Sequence, residues 1–237
     1  MKIALLGYGK MGHEVEKAAL ARHHDIVVTI DNAAEWEAKT AQLQQADVAI
    51  DFSQPDQAVG NIMRCFDLHL PIVVGTTAWY EHLDAIKTRC EAEQQSLFYA
   101  PNFSIGMNMM FKINKQMARF AETYGYELSL AETHHIHKLD KPSGTAAKLA
   151  NDIIAENSRY RKWSIEEPDS DDTLYIKVCR KGEVNGIHRV EARSAVDEIT
   201  FSHEAFSRQG FAVGAVAAAE FLWGKKGCFT MDDLLQI

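Results

Sequence analysis

The run Lys2 to Leu6 (KIALL) is short and apolar, and it ends in Gly7-Tyr8-Gly9-Lys10-Met11-Gly12, after which Glu14 to Ala21 has helical composition. A second apolar run, Ile26 to Ile30, ends at Asp31, nineteen residues beyond Gly12. Strand, glycine turn, helix, strand and closing carboxylate at this spacing form the fingerprint of a dinucleotide-binding unit. Each residue type has a task there. The first glycine permits the tight turn, the second lets backbone approach a pyrophosphate, and the third lets helix pack on strand. The helix start then offers free N–H groups and the positive end of its dipole to phosphates. Asp31 can accept hydrogen bonds from both ribose hydroxyls and would repel a 2′-phosphate, which favours NADH over NADPH. Lys10 is either a cation that softens this preference or an ordinary solvated side chain.

Glycines punctuate many turns, so the loop needs its context. The alternation continues with Val48 to Ser53 (VAIDFS), a helix from about Asp56 to Asp67, Pro71 to Thr77 (PIVVGTT), a helix from Tyr80 to about Glu93, and Leu97 to Ser104 (LFYAPNFS). Strands alternating with helices predict a parallel sheet, whose ligand lies beyond the carboxyl ends of the strands. Three such ends carry small polar or aromatic groups: Asp51-Phe52-Ser53, Gly75-Thr76-Thr77 and Ala100-Pro101-Asn102-Phe103. Singly each is an ordinary capping turn; together they suggest a nicotinamide-ribose site.

A helix is expected from Ile105 to about Tyr124, with Met107, Met110 and Met117 spaced as core residues. The strand YELSLAET then leads into ETHHIHKLDKPSGTA, Glu132 to Ala146. A metal reading would use His134, His135 and His137, but no cysteine, carboxylate or helical histidine pair is well placed to complete it. Histidines merely solvated at a strand end are a second reading. The third is an anion site with a proton donor. Lys138, Lys141 and Lys148 outnumber Glu132 and Asp140, so the stretch is locally positive on a chain of net charge −8. Ser143 can cap a helix running through about Glu156. The N–H groups of Gly144 and Thr145, with the hydroxyls of Ser143 and Thr145, would hold a carboxylate there, and Lys138 would add a full charge. A histidine can donate a proton near neutrality. Joined to a nicotinamide domain, this describes reduction of a C=C or C=N bond in a small carboxylated substrate.

Composition narrows the rest. The negative charge and scattered basic residues argue against nucleic acid as a partner. Cys65, Cys90, Cys179 and Cys228 are far apart and predict reduced thiols. The apolar run at the start is too brief for a signal peptide, and FAVGAVAAAEFLWG contains Glu220, so neither a leader nor a membrane span is expected and the location expected is cytoplasmic.

At these motifs the chain resembles the dihydrodipicolinate reductase (4-hydroxy-tetrahydrodipicolinate reductase) family of the diaminopimelate and lysine pathway. The resemblance rests on GYGKMG, VAIDFSQP, VVGTT, APNFSIGMN, ETHHIHKLDKPSGTA and SHEAFSRQGFAVGAV, and covers nearly the whole chain. It implies His134 as proton donor, Lys138 assisting and binding a substrate carboxylate, and substrate contacts from His135, Gly144 and Thr145. It also implies coenzyme contacts at Gly7, Tyr8, Gly9, Lys10, Met11, Gly12, Asp31, Phe52, Gly75, Thr76, Thr77, Ala100, Pro101, Asn102, Phe103 and Arg208. The sequence departs from the family at two places: the glycine loop is one residue shorter than the usual G-x-x-G-[RK]-M-G, and Asn32 stands where many members carry an arginine that meets the 2′-phosphate.

The implied architecture is α/β, a Rossmann-like parallel-sheet domain (1–104 and 210–237) plus a smaller α+β domain with a mixed sheet (105–209) for substrate binding and oligomerisation. Asn185-Gly186 predicts a hairpin between LYIKVCRKGEV and GIHRVEARSA. A third strand from Glu198 to Ala205 and a last helix from about Gly210 to Trp223 follow. The resemblance implies a homotetramer and a small dicarboxylate substrate. Another NAD(P)-dependent amino-acid or imino-acid dehydrogenase would share the glycine loop but has no reason to keep HHIHK before PSGTA. A non-catalytic NADH-binding regulatory protein would be marked by loss of the proton donor, and His134 and Lys138 are both present.

Overall fold

The computed structural model describes residues 1–236. In chain order the elements are β1 (Lys2–Leu6), α1 (Lys10–Ala21), β2 (Asp25–Ile30), α2 (Ala33–Leu43), β3 (Val48–Asp51), α3 (Pro55–Asp67), β4 (Ile72–Val74), α4 (Leu83–Ala92, after a short 3₁₀ turn), and β5 (Ser96–Tyr99). Then come α5 (Ile105–Tyr124), β6 (Glu127–His134), α6 (Gly144–Glu156), β7 (Lys162–Ser164), β8 (Thr173–Arg180), β9 (Ile187–Arg193), β10 (Glu198–Glu204), α7 (Gln209–Leu222), β11 (Gly227–Phe229) and α8 (Met231–Leu235). The chain divides into two compact units, Met1–Ile105 with Arg208–Ile237, and Gly106–Ser207.

The first unit holds a six-stranded sheet in the order β11-β5-β4-β3-β1-β2, parallel throughout. Its inner strands β1, β3 and β4 are buried on both faces, as parallel strands covered by crossover helices must be. Alternation along β1 divides the core: Ile3 and Leu5 join a cluster with Val15, Ala215 and Ala219 of α1 and α7, while Ala4 and Leu6 join Trp36, Ile62 and Ile86 of α2, α3 and α4. The segment between Asn32 and Asp47, to which the sequence assigned no element, carries α2, capped by Asn32 whose side chain accepts from the Glu35 N–H. Two short strands, β7 and β11, carry no periodicity of their own in the sequence and pair only at sheet edges.

The second unit has a five-stranded mixed sheet ordered β10-β9-β6-β8-β7. Inward-facing Leu128 and Leu130 of β6, Ile176 of β8 and Val190 of β9 pack with Met107, Met110 and Phe111 of α5 and with Leu149 and Ile153 of α6. Met107 and Met110 are core residues and Met117 packs partly against them, as expected, while Met109 on the opposite side is exposed. The predicted hairpin is wrong: β8 and β9 do not pair with each other, because β6 lies between them, parallel to β8 and antiparallel to β9. The true hairpin joins β9 to β10. An Asn-Gly pair favours a tight turn only when its flanking strands can meet. Here a buried strand with its own ladder on both sides outcompetes that local preference, and Asn185 instead donates to the Phe206 carbonyl.

Gly214 in α7 shows how closely helix meets loop: a Cβ there would lie 1.7 Å from the Phe103 carbonyl oxygen. Alanine is the better helix former by ~1 kcal/mol, yet Gly214→Ala must push α7 off the segment that closes β5. The expected result is a net loss of about 1–3 kcal/mol, the usual cost of overpacking, read as a lowered thermal midpoint. An unchanged midpoint would contradict the close approach.

Candidate active site

In the first unit the glycine loop is shorter than its motif suggested, because α1 already begins at Lys10 and Gly12 lies inside it. Gly7 has φ +85°, and a Cβ there would sit 2.4 Å from the Phe52 carbonyl oxygen, so only glycine fits. A Cβ at Gly12 would meet the Gly7 carbonyl oxygen at 2.5 Å, whereas one at Gly9 would meet nothing within 4 Å. The first and third glycines serve the fold, and the middle one leaves open space at the helix start. Lys10 is exposed and Met11 packs partly against the core. Tyr8 donates its backbone N–H to Asp31 at 2.8 Å, which ties the loop to the carboxylate at the end of β2. Beside Asp31 a cavity of about 200 Å³ is lined by Asn32, Trp36, Asp56, Asn61 and Arg64, with the Arg64 guanidinium 5.1 Å from the Trp36 ring centre. An open helix start, a presented carboxylate and an adjoining recess fit a dinucleotide.

The strand ends are organised by Asp51, which the sequence marks only as part of a capping turn. Asp51 is fully buried and accepts from Thr76 Oγ1 (2.5 Å), Asn61 Nδ2 (2.7 Å), Ser53 Oγ (2.9 Å) and the Ser53 N–H (3.0 Å). Burial pushes its carboxyl above the ordinary aspartate range and these donors oppose that push. The hydroxyl of Thr76 is therefore used internally, and its carbonyl accepts from the Trp79 indole. Gly75 lies against the Phe52 ring, where a Cβ would come within 2.2 Å. Ala100 and Phe103 are 2% exposed and belong to the core, so neither offers a side chain to a ligand, while Thr77 and Pro101 are exposed. Asn102 accepts from the Ser104 N–H, and Arg208 is exposed at the start of α7.

In the second unit β6 delivers Glu132 and His134 to the same buried face, since residues two apart on a strand point the same way. Glu132 is 1% and His134 7% exposed. A buried carboxylate must be met by charge and donors. Arg180 Nη2 donates to Glu132 Oε1 at 3.0 Å and the Ser143 N–H reaches both oxygens at 3.1 and 3.2 Å. The same guanidinium donates to the Asp140 carbonyl at 2.5 Å and the Lys138 carbonyl at 3.4 Å, bracing the loop after β6. His134 Nδ1 lies 3.4 Å from Glu132 Oε2, and the His188 ring stands edge-on to His134 with centres 5.1 Å apart. His188 Nε2 is 3.2 Å from Ser143 Oγ.

Neither Arg180 nor His188 was singled out from the sequence, because they lie on β8 and β9, forty-six or more residues from His134. The three histidines considered as a metal set do not converge: His137 is exposed and faces Glu183, and His135 stacks loosely with it. Glu132, His134 and His188 do present ligand atoms within 4.8 Å of one another. Glu132 is already neutralised by Arg180, however, which suits the cluster to proton chemistry better than to a cation. Ser143 caps α6 as expected, accepting from the Ala146 N–H. Ser143 is 2% exposed, and its hydroxyl is engaged with Ala146 and His188. The N–H groups of Gly144 and Thr145 have no partner among the described residues, and Gly144 is exposed. Lys138 is a quarter exposed and paired with Asp140 at 2.9 Å.

Burial is the main cause that pushes His134 below the ordinary histidine range; Glu132 pulls it back up, and Lys138 and Arg180 push it down. Burial and then the neighbouring His134 push His188 down to about 4. The unfolded chain therefore takes up a proton at His188 between about pH 6.5 and 4 that the folded chain refuses. Its contribution is complete above 6.5 and is lost as pH falls toward 4, by up to about 3 kcal/mol. Thermal melts over this range should show that decline, and His188→Gln should flatten it. An equal slope in the variant would mean His188 titrates normally.

Comparison with known proteins follows the same division. The family model for the N-terminus of dihydrodipicolinate reductase matches residues 1–103, and that for its C-terminus matches 106–235. A 4-hydroxy-tetrahydrodipicolinate reductase from Christiangramia forsetii is 42% identical over 236 residues, 99% of this chain and 98% of that protein. One from Methanopyrus kandleri is 36% identical over 198 residues, 81% of this chain and 72% of that protein. The solved structure of a dipicolinate-bound dihydrodipicolinate reductase from Paenisporosarcina sp. TG-14 shares the fold, with TM-score 0.81 and 22% identity across 97% of both chains. With both family models matched end to end and a relative this similar over its whole length, the chain belongs to the dihydrodipicolinate reductase family.

Proposed function

We propose that the protein reduces 4-hydroxy-tetrahydrodipicolinate to tetrahydrodipicolinate in diaminopimelate and lysine biosynthesis, with His134 as proton donor. The observation that carries this reading is the 42% identity over almost the full length of both chains to a reductase of that name. The residues present are the ones the chemistry asks for. When bound, a reduced nicotinamide supplies the hydride. The open start of α1, Asp31 and the adjoining recess would hold the dinucleotide in the first unit, with Phe52, Gly75, Thr77 and the backbone of Ala100 to Asn102 at the strand ends and Arg208 nearby. In the second unit the N–H groups of Gly144 and Thr145, with Lys138 and His135, would hold the substrate carboxylates. The substrate's hydroxyl leaves with a ring hydrogen as water, and the conjugated ring so formed gains the hydride together with a proton from His134.

Asp31 supports NADH as the favoured coenzyme, since its carboxylate would repel a 2′-phosphate. Lys10 and Arg64 are the nearby cations that would keep NADPH usable. A homotetramer is part of the same reading: Phe120, Tyr124 and Ile199 are exposed apolar residues beside a recess of about 420 Å³, a surface of the kind that subunit contacts cover. Among the described residues no helix is long and apolar enough to cross a membrane.

The test is loss of NADH or NADPH absorbance when purified protein meets pyruvate, aspartate semialdehyde and a condensing synthase. Oxidation should require the synthase; oxidation independent of it, or none at all, would defeat the reading. Asp31→Ala should raise the NADPH to NADH ratio of kcat/KM by roughly tenfold, equivalent to about 1.4 kcal/mol. His134→Ala should lower kcat by about 10²- to 10⁴-fold.

The pH dependence has a definite sign. A donor must be protonated, so kcat/KM falls as pH rises through the pKa of free His134, which burial holds below the ordinary histidine value. A bound dianion favours the imidazolium, so the corresponding limb in kcat should lie at higher pH. Limbs in the reverse order would argue against His134 as the donor.

A further inference from the structure

His134 has two ring nitrogens, and only one can face the substrate while the other is held. Its Nδ1 is buried, lies 3.4 Å from Glu132 Oε2 and makes no hydrogen bond in this arrangement, so Glu132 is the acceptor within reach rather than one already engaged. Its Nε2 lies beside Gly186, where a Cβ would come to 3.0 Å, so the absent side chain leaves the room that Nε2 needs. His188 stands edge-on against the ring, and His188 Nε2 is 3.8 Å from Glu132 Oε2. Glu132 cannot swing away. Arg180 holds one oxygen at 3.0 Å, and the Ser143 N–H spans both. Ser143 is also the cap of α6, so the carboxylate is fixed to the helix start whose N–H groups are open.

From this geometry we propose that Glu132 is a positioning residue that takes the Nδ1–H of His134, leaving Nε2 as the atom that carries the transferable proton, with His188 and Gly186 as the walls that keep the ring in that orientation. The inference rests on the reductase reading and adds the residues that orient its donor. Hydrogen bonds of this kind are often long in an unliganded site and shorten when the ring becomes charged. Every charged or titratable group facing His134 enters the balance: Glu132 and Asp140 favour the imidazolium, while Lys138 and Arg180 oppose it. His188 is held neutral by burial, so no second imidazolium competes with the donor, and His203 faces His188 from β10. With Glu132 removed, the remaining cations dominate and His134 protonates less readily.

The test has an arm that needs no variant of the network. In wild-type protein with ¹⁵N-labelled histidine above pH 7.5, the neutral His134 ring, assigned by the signal lost in His134→Gln, should carry its proton on Nδ1. A proton on Nε2 in that state would overturn the inference. In the coupled assay, Glu132→Gln should lower kcat by about ten- to a hundredfold with substrate KM within about threefold, and should move the alkaline limb of kcat to lower pH. Gly186→Ala should lower kcat in the same way without moving that limb. Glu132→Gln with unchanged kcat and pH profile also overturns the proposal. Because Glu132→Gln leaves Arg180 without its carboxylate, its fold is checked by its melt, and if it is unfolded the tautomer decides. A wild-type protein that shows the Nδ1 tautomer but never oxidises coenzyme would remove the reductase reading while leaving the positioning geometry supported; normal turnover with the Nε2 tautomer would do the reverse.

Discussion

Removing a carboxylate from water costs several kcal/mol unless charge and donors replace the solvent, and Glu132 imposes that demand at the end of the middle strand of the mixed sheet. Its partners come from three directions. Arg180 arrives at the end of the parallel neighbour β8, Ser143 from the start of α6, and His188 from the antiparallel neighbour β9. Meeting the demand fixes the position of β8 beside β6, the entry angle of α6 and the path of the loop between them, whose carbonyls Arg180 also binds. The candidate donor His134 is two residues along the same strand and inherits this rigidity. A single buried charge thus gathers the candidate donor His134 and the open helix start at Gly144 into one construction.

The parallel sheet shows the same logic with different chemistry. Backbone there approaches backbone so closely that side chains are excluded: Gly7 against Phe52, Gly12 against Gly7, Gly214 against Phe103. Asp51 then plays the part of Glu132, collecting Ser53, Asn61 and Thr76 so that the loops after β3 and β4 are held by one buried carboxylate. In both units the carboxyl end of a central strand carries an acidic residue that faces inward and organises the loops around it. The residues offered outward are therefore backbone groups and short side chains on a stiff support, which is what orientation of a small ligand requires.

Features written in local sequence were legible: the strand and helix alternation of the first hundred residues, the helix from Ile105 to Tyr124 and the Ser143 cap each depend on neighbours within a few positions. What failed or was missed depends on partners far along the chain. Asn185-Gly186 carried a strong hairpin signal, yet the pairing of β6 with both β8 and β9 overrode it, and Gly186 serves to pass beside His134 instead. Arg180 and His188 sit in ordinary-looking strands and acquire meaning only through the sheet register that sets Arg180 opposite His134 and His188 opposite Glu132. Asp51 was noticed only as part of a turn, because burial cannot be read from a lone aspartate. Of the two tasks the sequence suggested for Ser143, the cap is visible as its bond to the Ala146 N–H.

The register also explains why histidine is used twice. Antiparallel pairing sets His188 beside Glu132, and the edge-on contact sets it against His134. A lysine at position 188 would compete for Glu132 and repel the imidazolium, while an apolar residue would leave the Ser143 hydroxyl with one partner fewer. A neutral imidazole avoids both faults: it is flat enough to stand edge-on to His134, polar enough to meet Ser143, and kept uncharged by its own burial. The same burial that makes His188 a passive wall acts on His134 less completely, since Glu132 lies nearer to it and opposes the desolvation. Two histidines of identical intrinsic basicity thereby separate: burial and the neighbouring His134 push His188 down to about 4, while at His134 the carboxylate of Glu132, 3.4 Å away, is the main influence opposing burial.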